Sequence, residues 1–337
     1  MPSIVRAAWA QKSGFYSNDR GYVNFDGGIL RVSASSEVFG GAEEAGNATY
    51  GKSDNHPTAV TIFRGGAVID SSNFVAEVSV PLSAPAGLGV VSIPMPEAVD
   101  AANYIAPPVV KIVGDGVNAT AAAIFDSNSR TWTGIVVTSP GWGYTAAKAV
   151  ISWGGKDSVY EVDCVLGDVS GGGLEKRGSG ELRLKCANTY TGATVVSEGS
   201  LVLADGGSID SSCELSVAAG AEISVENGET LDFDTVAGCG TVKGDLVISG
   251  TLKIKASDLL NRRCLRVLGT VTLAPSASIV VEKDAELPEE SRTLIRANGG
   301  VVGCPETVSG FDGKWFFSAQ GGACRLVYPR SVGIIVR

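Results

Sequence analysis

The chain has 337 residues and is poor in histidine, methionine, aromatic residues and charge. Its single histidine, His56, excludes histidine-rich metal sites and leaves one candidate for a nucleophile–base pair. Lys and Arg number 27 against 36 Asp and Glu, so the formal charge is -9 and a basic face for nucleic acid or an anionic membrane is not expected. No apolar run approaches the roughly 18 residues of a membrane span, so none is predicted.

Glycine and short runs of valine, isoleucine and leucine are abundant instead, with 44 glycines in the chain. From residue 174 onward, apolar residues alternate over three or four positions, as in Leu201/Leu203 and Leu246/Ile248, and glycine-rich turns separate these runs. Such alternation is typical of short strands. The unit recurs every twenty-odd residues, and short strands must stack to bury their apolar faces. The pattern therefore predicts an all-β protein with the architecture of a parallel β-helix.

One stretch, residues 178–209, carries a recognisable motif. It contains the letters ANTYTGAT, with Asn188, Tyr190 and Thr194, followed by a strand with Gly199, Leu201 and Leu203. This stretch resembles the autotransporter-associated β-strand repeat, and weaker similarity continues to about residue 284. The resemblance implies a right-handed β-helix (a solenoid) in an exported protein, secreted or at the cell surface. It also implies a structural role for Tyr190, and it does not imply an enzyme.

Residues 100–156 interrupt the repeat. The segments at 104–114 and 144–154 align at an offset of 40, and more strand-like sequence lies between them. We predict a small antiparallel β insertion there. The expected domains are N-terminal coils at 1–99, the insertion at 100–156, and further coils with a C-terminal cap at 157–337. The first fifteen residues have no apolar core or cleavage site, so the chain as given is expected to lack a signal peptide.

The chain has seven cysteines, and all of them lie at or after residue 164. Cys186, Cys213, Cys239 and Cys264 are separated by 27, 26 and 25 residues. We interpret this spacing as one buried cysteine per repeat rather than a disulfide framework, although an exported protein permits pairing.

Evidence for catalysis or metal binding is weak in this sequence. His56 lies in a polar loop, and most aspartates adjoin Gly, Ser or Asn, as turn residues do. Asp232 and Asp234 would share one face of a strand, which would suit calcium or acid–base chemistry. We therefore expect no catalytic residues and no cofactor, while a structural calcium ion is allowed.

The sequence favours carbohydrate binding as the function. Sugar sites use flat aromatic rings flanked by polar side chains, and three of the five tryptophans lie in the insertion. The predicted platform residues are Trp132, Trp142, Tyr144 and Trp153, with a second cluster at Trp9, Tyr16 and Tyr22.

The organisation and size of the chain also resemble the β-helical carbohydrate-binding modules of family 89, which recognise xylan. That resemblance implies a plant polysaccharide such as xylan as partner and a glycoside hydrolase domain in the same parent chain. The negative charge disfavours anionic polymers such as pectate. Two alternatives stay open: an adhesin-like passenger segment with a purely structural β-helix, and a β-helical polysaccharide lyase or hydrolase.

Overall fold

A computed structural model describes residues 6–8, 21–39, 57–97, 100–311 and 316–328. Within these residues strands predominate, and the helix α1 (Ala256–Leu260) is five residues long. No helix in the described part of the chain has the length and apolarity needed to cross a membrane. Contacts divide the chain into two compact units, which we call the coil unit (Met1–Ser83 with Gly172–Arg337) and the inserted unit (Ala84–Gly171).

The strands are short, as the turn-rich sequence predicts. Those before the inserted unit are β1 (Arg6–Ala8), β2 (Gly21–Phe25), β3 (Gly28–Arg31), β4 (Ser36–Phe39), β5 (Pro57–Ile62), β6 (Ala67–Asp70), β7 (Val75–Val78) and β8 (Leu82–Ser83). The inserted unit contains β9 (Leu88–Ser92), β10 (Val109–Gly114), β11 (Val117–Asp126), β12 (Thr131–Trp142), β13 (Ala147–Ser152), β14 (Tyr160–Asp163) and β15 (Val165–Asp168). The coil unit resumes with β16 (Leu174–Arg177), β17 (Glu181–Leu184), β18 (Thr194–Val196), β19 (Ser200–Leu203), β20 (Glu214–Val217), β21 (Glu222–Val225), β22 (Leu231–Ala237), β23 (Thr241–Lys243), β24 (Leu246–Lys255), β25 (Leu265–Val267), β26 (Val271–Leu273), β27 (Ser278–Glu282), β28 (Arg292–Ala297), β29 (Val301–Val302), β30 (Thr307–Ser309), β31 (Phe316–Gln320) and β32 (Ala323–Val327).

Two long sheets dominate the coil unit. An eleven-stranded sheet, here sheet 1, contains β3, β6, β16, β18, β20, β22, β24, β26, β27, β29 and β30. A ten-stranded sheet, here sheet 2, contains β4, β7, β17, β19, β21, β23, β25, β28, β32 and β31. From β16 to β25 the chain alternates between the two sheets, and its partners within each sheet are parallel. The predicted all-β class with parallel sheets is confirmed.

Equivalent apolar residues stack on one another in these sheets. In sheet 2, Leu182, Leu201, Ile223, Val242 and Val267 are successive register partners, and each is at most 1% exposed. Burying a side chain of this size contributes about 1.5–3 kcal/mol. The alternation seen in the sequence thus places an apolar side chain inward at every second position of a strand. The core that these side chains form is continuous through the repeats of the coil unit.

The inserted unit is antiparallel. Strands β10, β13 and β14 form one sheet, β11 and β12 form a long hairpin, and β9 pairs with β15. It has its own core, which includes Tyr104, Trp132, Tyr144 and Ile151. An antiparallel region is therefore found in this part of the chain, while the domain boundaries at 100 and 156 stay a prediction.

The expectation of one buried cysteine per repeat is wrong: of the four regularly spaced cysteines only Cys239 is buried, while Cys186 and Cys264 are half-buried and Cys213 is exposed. Cys213 precedes a strand of sheet 1, but Cys239 and Cys264 precede strands of sheet 2. Because the repeats differ in their internal turns, equal spacing in sequence does not place residues at equivalent positions. All seven cysteines are free thiols in this structure.

Candidate functional site

Asn188 of the ANTYTGAT motif is 3% exposed and connects three successive repeats of the coil unit, which we call levels. Its Oδ1 accepts a hydrogen bond from the amide of Leu82 at 2.9 Å. Its Nδ2 donates to the carbonyl oxygens of Cys186 and Ser208, each at 2.8 Å. A buried backbone group without a partner is costly, so this one amide satisfies groups that the turns leave unpaired.

Tyr190 and Thr194 form a second buried network in the same motif. The Tyr190 hydroxyl and Thr194 Oγ1 lie 2.6 Å apart, and Thr194 Oγ1 lies 3.0 Å from the hydroxyl of Ser212. Ser212 in turn donates to a backbone carbonyl at Gly192, 2.8 Å away. Burial raises the pKa of Tyr190, so the phenol remains protonated at neutral pH. The structural role expected of Tyr190 is confirmed by this burial.

Lys176 is a fully buried cation in the first strand of the same segment. Its Nζ donates to the carbonyl oxygens of Arg177, Gly178 and Glu198 at 2.9, 2.7 and 3.1 Å. Burial lowers its pKa to about 8, because an ammonium loses its hydration there, and nearby carboxylates counteract part of that shift. The ammonium has three N–H donors, and each has a carbonyl acceptor. Because these carbonyls belong to two neighbouring turns, the Lys176 side chain connects the two turns.

Gly192 allows two levels of the coil unit to approach closely. A Cβ at this position would lie 2.3 Å from the backbone carbon of Gly172 and 2.3 Å from the nitrogen of Gly173. No side chain fits at that distance, so the glycine of the motif is required for close packing of neighbouring turns.

The predicted sugar-binding residues of the inserted unit occupy different environments. Trp132 is completely buried and packs edge-to-face on Tyr104, with ring centroids 6.2 Å apart. Tyr144 is 5% exposed, and its hydroxyl accepts a hydrogen bond from the amide of Ala119 at 3.2 Å. Trp142 is half-buried at the end of β12. Rings buried in this way have no free face for stacking on a sugar, so Trp132 and Tyr144 serve as core residues here.

Trp153 is the exposed member of the predicted platform, with 73% of its surface accessible. It has a φ of 71°, a left-handed conformation that is uncommon for a bulky residue. In the second predicted cluster, Tyr22 is half-buried in β2, while Trp9 and Tyr16 lie outside the described residues. The structure thus brings Trp132 and Tyr144 into one core and leaves Trp153 outside it. Sugar binding by Trp142, Trp153 and the second cluster stays a prediction.

The candidates for catalysis or calcium are dispersed. Asp232 and Asp234 both point outward from β22, as their spacing predicts. Asp232 accepts a hydrogen bond from the Ser249 hydroxyl at 3.1 Å. Among the residues that the structure describes, no group of three or more His, Cys, Asp or Glu could hold a metal ion. His56 lies outside the described residues.

Sequence reasoning missed a cluster of arginines. A cleft of about 980 Å³ in the coil unit is lined by Arg262, Arg263, Arg266, Arg292 and Arg296. The signal was present only indirectly, because Arg266 and Arg296 become neighbours through the register of β25 and β28. Locally the cleft is basic although the whole chain carries -9.

Comparison with known proteins identifies one part of the chain. A family model described as the passenger-associated transport repeat matches residues 174–203. No curated protein and no solved structure matches the chain. The matched residues span β16 to β19 and contain Lys176, Asn188 and Gly192. The resemblance to the autotransporter-associated repeat is therefore confirmed, and it indicates a secreted or surface protein. Nothing supports the resemblance to the family-89 modules.

Proposed function

We propose that this chain is a structural passenger segment of an autotransporter-type exported protein. In this proposal, sheets 1 and 2 are faces of a right-handed parallel β-helix that extends the protein from the cell. The observation that carries the proposal is the passenger-associated transport repeat at residues 174–203. The proposed role is that of a scaffold, without catalysis.

The register of the coil unit supports this role. Strands β6 and β16 pair in parallel although the whole inserted unit separates them in sequence. The repeat therefore continues a stack that begins before residue 84 and extends past residue 203. In a stack of this kind each repeat contacts only its neighbours, so folding can proceed one repeat at a time. This suits a segment that folds progressively as it emerges from a membrane.

Surface display tests the proposal. The full chain would be fused between an export leader and the translocating domain of an autotransporter, and exposure at the cell surface would be measured by protease accessibility. We expect efficient display of the unmodified chain. Gly192→Ala should reduce display, because it blocks the close approach of two levels, whereas Gly134→Ala in the inserted unit should not. Equal display of both variants, or retention of the unmodified chain inside the cell, would contradict the proposal.

A second candidate function is glycan contact through the inserted unit, favoured by the exposure of Trp153. An exposed indole held in an uncommon backbone conformation is a feature found at binding sites. In this proposal the partner is a plant polysaccharide such as xylan, and a glycoside hydrolase domain in the parent chain would act on the same polymer.

Affinity electrophoresis on xylan, mixed-linkage glucan and mannan tests this second candidate. We expect retardation that is lost in Trp153→Ala and kept in Val136→Ala, which also removes an exposed apolar side chain. Unchanged mobility of the unmodified chain on every polymer would eliminate this candidate. Product analysis of the same samples tests the proposed absence of catalysis.

A further inference from the structure

The arginine-lined cleft of the coil unit has a geometry that the scaffold role does not require. Arg266 in β25 and Arg296 in β28 are direct register partners on adjacent parallel strands, and both point outward. Neighbouring strands lie about 4.8 Å apart, so two like charges stand side by side. Like charges at such positions repel each other and destabilise the sheet.

Neither of these two guanidinium groups has a carboxylate partner among the described residues, whereas the other arginines of the cleft are paired. Arg262 lies 3.9 Å and Arg292 lies 3.0 Å from Glu290, and Arg263 lies 3.5 Å from Asp258. The cleft is also lined by Glu289 and Glu290, but no carboxylate of the described residues lies within 4 Å of Arg266 or Arg296.

Arg292 adds a second and independent observation. Its side chain is 8% exposed and lines the same cleft, and its Nε is buried with no hydrogen-bond partner. A buried donor without an acceptor is costly, and in a native structure it calls for a ligand or an ordered solvent molecule. Arg292 is four residues before Arg296 on the same strand, so their Cα atoms lie about 13 Å apart along one wall of the cleft.

We propose that this cleft binds a ligand carrying at least two oxyanion groups, with one group on Arg266 and Arg296 and another on Arg292. The guanidinium fork donates two parallel hydrogen bonds to a carboxylate, sulfate or phosphate. A lone inorganic anion would satisfy one end of the cleft and leave the other unsatisfied. The ligand is therefore an acidic oligosaccharide or a polyphosphorylated small molecule, which share this chemistry.

Binding isotherms with the full chain test the proposal. The probes are an oligogalacturonate for carboxylates, a sulfated oligosaccharide, inorganic pyrophosphate, and inorganic phosphate as the single-anion comparison. At least one of the first three should bind at least tenfold more tightly than inorganic phosphate and weaken as salt is added, and the tightest probe distinguishes the sources. Salt-independent binding would contradict the proposal.

Matched charge variants locate the site. Arg266→Gln/Arg296→Gln should weaken binding at least tenfold, whereas Arg64→Gln/Lys111→Gln removes two exposed charges elsewhere and should leave the affinity unchanged. Arg266 and Arg296 are exposed, so the variant is expected to fold, and thermal unfolding checks that it does. Equal affinity of the two double variants would overturn the assignment, as would failure of every probe to bind at millimolar concentration.

Cysteine alkylation gives a readout at the site itself. Cys264 lines the cleft and is half-buried, while Cys213 is exposed and does not line it. A bound ligand should slow the alkylation of Cys264 and leave that of Cys213 unchanged, as measured by mass spectrometry of peptides. Protection of neither thiol by a probe that binds would place its site elsewhere and overturn the proposal.

Discussion

The coil unit and the inserted unit are both built from β-strands, yet their strands pair in opposite directions and at different separations along the chain. In the inserted unit the hairpin β11–β12 pairs residues such as Ile124 and Gly134, which are ten positions apart. In the coil unit the partners Leu184 and Val78 are 106 positions apart, while Leu182 and Leu201 are 19 apart. Antiparallel pairing around one local hairpin makes the inserted unit, and parallel register between repeats makes the coil unit.

This difference determines what each unit tolerates. Parallel levels of the coil unit must repeat at a fixed separation, so each turn has to be small and each backbone group must find a partner. Gly192 and Asn188 meet these two needs. A hairpin has a free outer face, so its side chains can vary more widely. We therefore expect substitutions at the turns of the coil unit to lower its stability, and substitutions on the exposed face of the inserted unit to have little effect.

The largest expected effect comes from Gly192→Ala. The added methyl group would overlap the backbone near Gly172, so we expect a loss of about 3 kcal/mol in the free energy of unfolding. Gly134→Ala is the matched change in the inserted unit, where the nearest atom is Cδ1 of the exposed Ile124 at 3.2 Å, and it should cost under about 0.5 kcal/mol. Denaturant unfolding measures both free energies of unfolding. An equal loss of stability in the two variants would contradict the expected difference in tolerance between the two units.

Asn188→Ala should have the next largest effect. It leaves the amide of Leu82 and two carbonyl oxygens without their side-chain partner, so we expect a loss of about 2 kcal/mol. Asn128→Ala, at an exposed turn of the inserted unit, should change stability by less than about 0.5 kcal/mol. Thermal unfolding with matched protein concentration checks the pair, and a neutral Asn188→Ala would refute the bridging role.

Alkaline pH should weaken the coil unit through its buried thiols. Burial raises the pKa of Cys239 from 9.0 to about 12, so between these values the unfolded chain has lost a proton that the folded chain retains. The contribution of this residue is fully present below pH 9 and falls by about 1.4 kcal/mol per pH unit above it. Cys239→Val should flatten the loss of stability between pH 9 and 11, whereas Cys213→Val should not. Identical pH profiles would contradict this account.

The smallest effect is expected from surface charge. Arg183 contacts Glu77, Glu181 and Glu226, and these side chains are partly shielded. Glu77→Gln should cost up to about 1 kcal/mol at low salt, and the loss should shrink at 1 M salt.

In the inserted unit, Lys148 and Glu161 are 3.9 Å apart and mostly exposed. Glu161→Gln should therefore have no measurable effect on unfolding. An equal loss in the free energy of unfolding for the two variants at low salt would show that the contacts between Arg183 and its glutamates add no stability.

The sequence predicts the coil unit well because its period is visible. Leu201, Leu203, Leu246 and Ile248 alternate as inward residues do, and all four are buried. The role of the motif around Tyr190 also follows from the resemblance. The cysteine spacing gave a wrong prediction of burial, because Cys213 precedes a strand of sheet 1 and Cys239 precedes a strand of sheet 2.

The side chains of the inserted unit were harder to predict. Trp132 lies on a strand, as expected, but register shifts between Thr120 and Ala121 and between Ile124 and Phe125 change which face of the hairpin its residues occupy. Alternation alone cannot locate such shifts. The arginine cleft could not be predicted for a different reason. Arg266 and Arg296 are 30 residues apart in the sequence, and only the register of their strands shows that they are neighbours.

The stacking of residues 174–203 with the next repeat can be measured directly by disulfide cross-linking. Ser200 and Glu222 are register partners on adjacent parallel strands, about 4.8 Å apart and within the span of a disulfide. Ser200→Cys/Glu222→Cys should cross-link under mild oxidation, as identified by peptide mass spectrometry. The shifted pair Ser200→Cys/Ser224→Cys, about 8 Å apart, should not. Cross-linking of the shifted pair alone, or of both pairs equally, would contradict the in-register stack on which the passenger role depends.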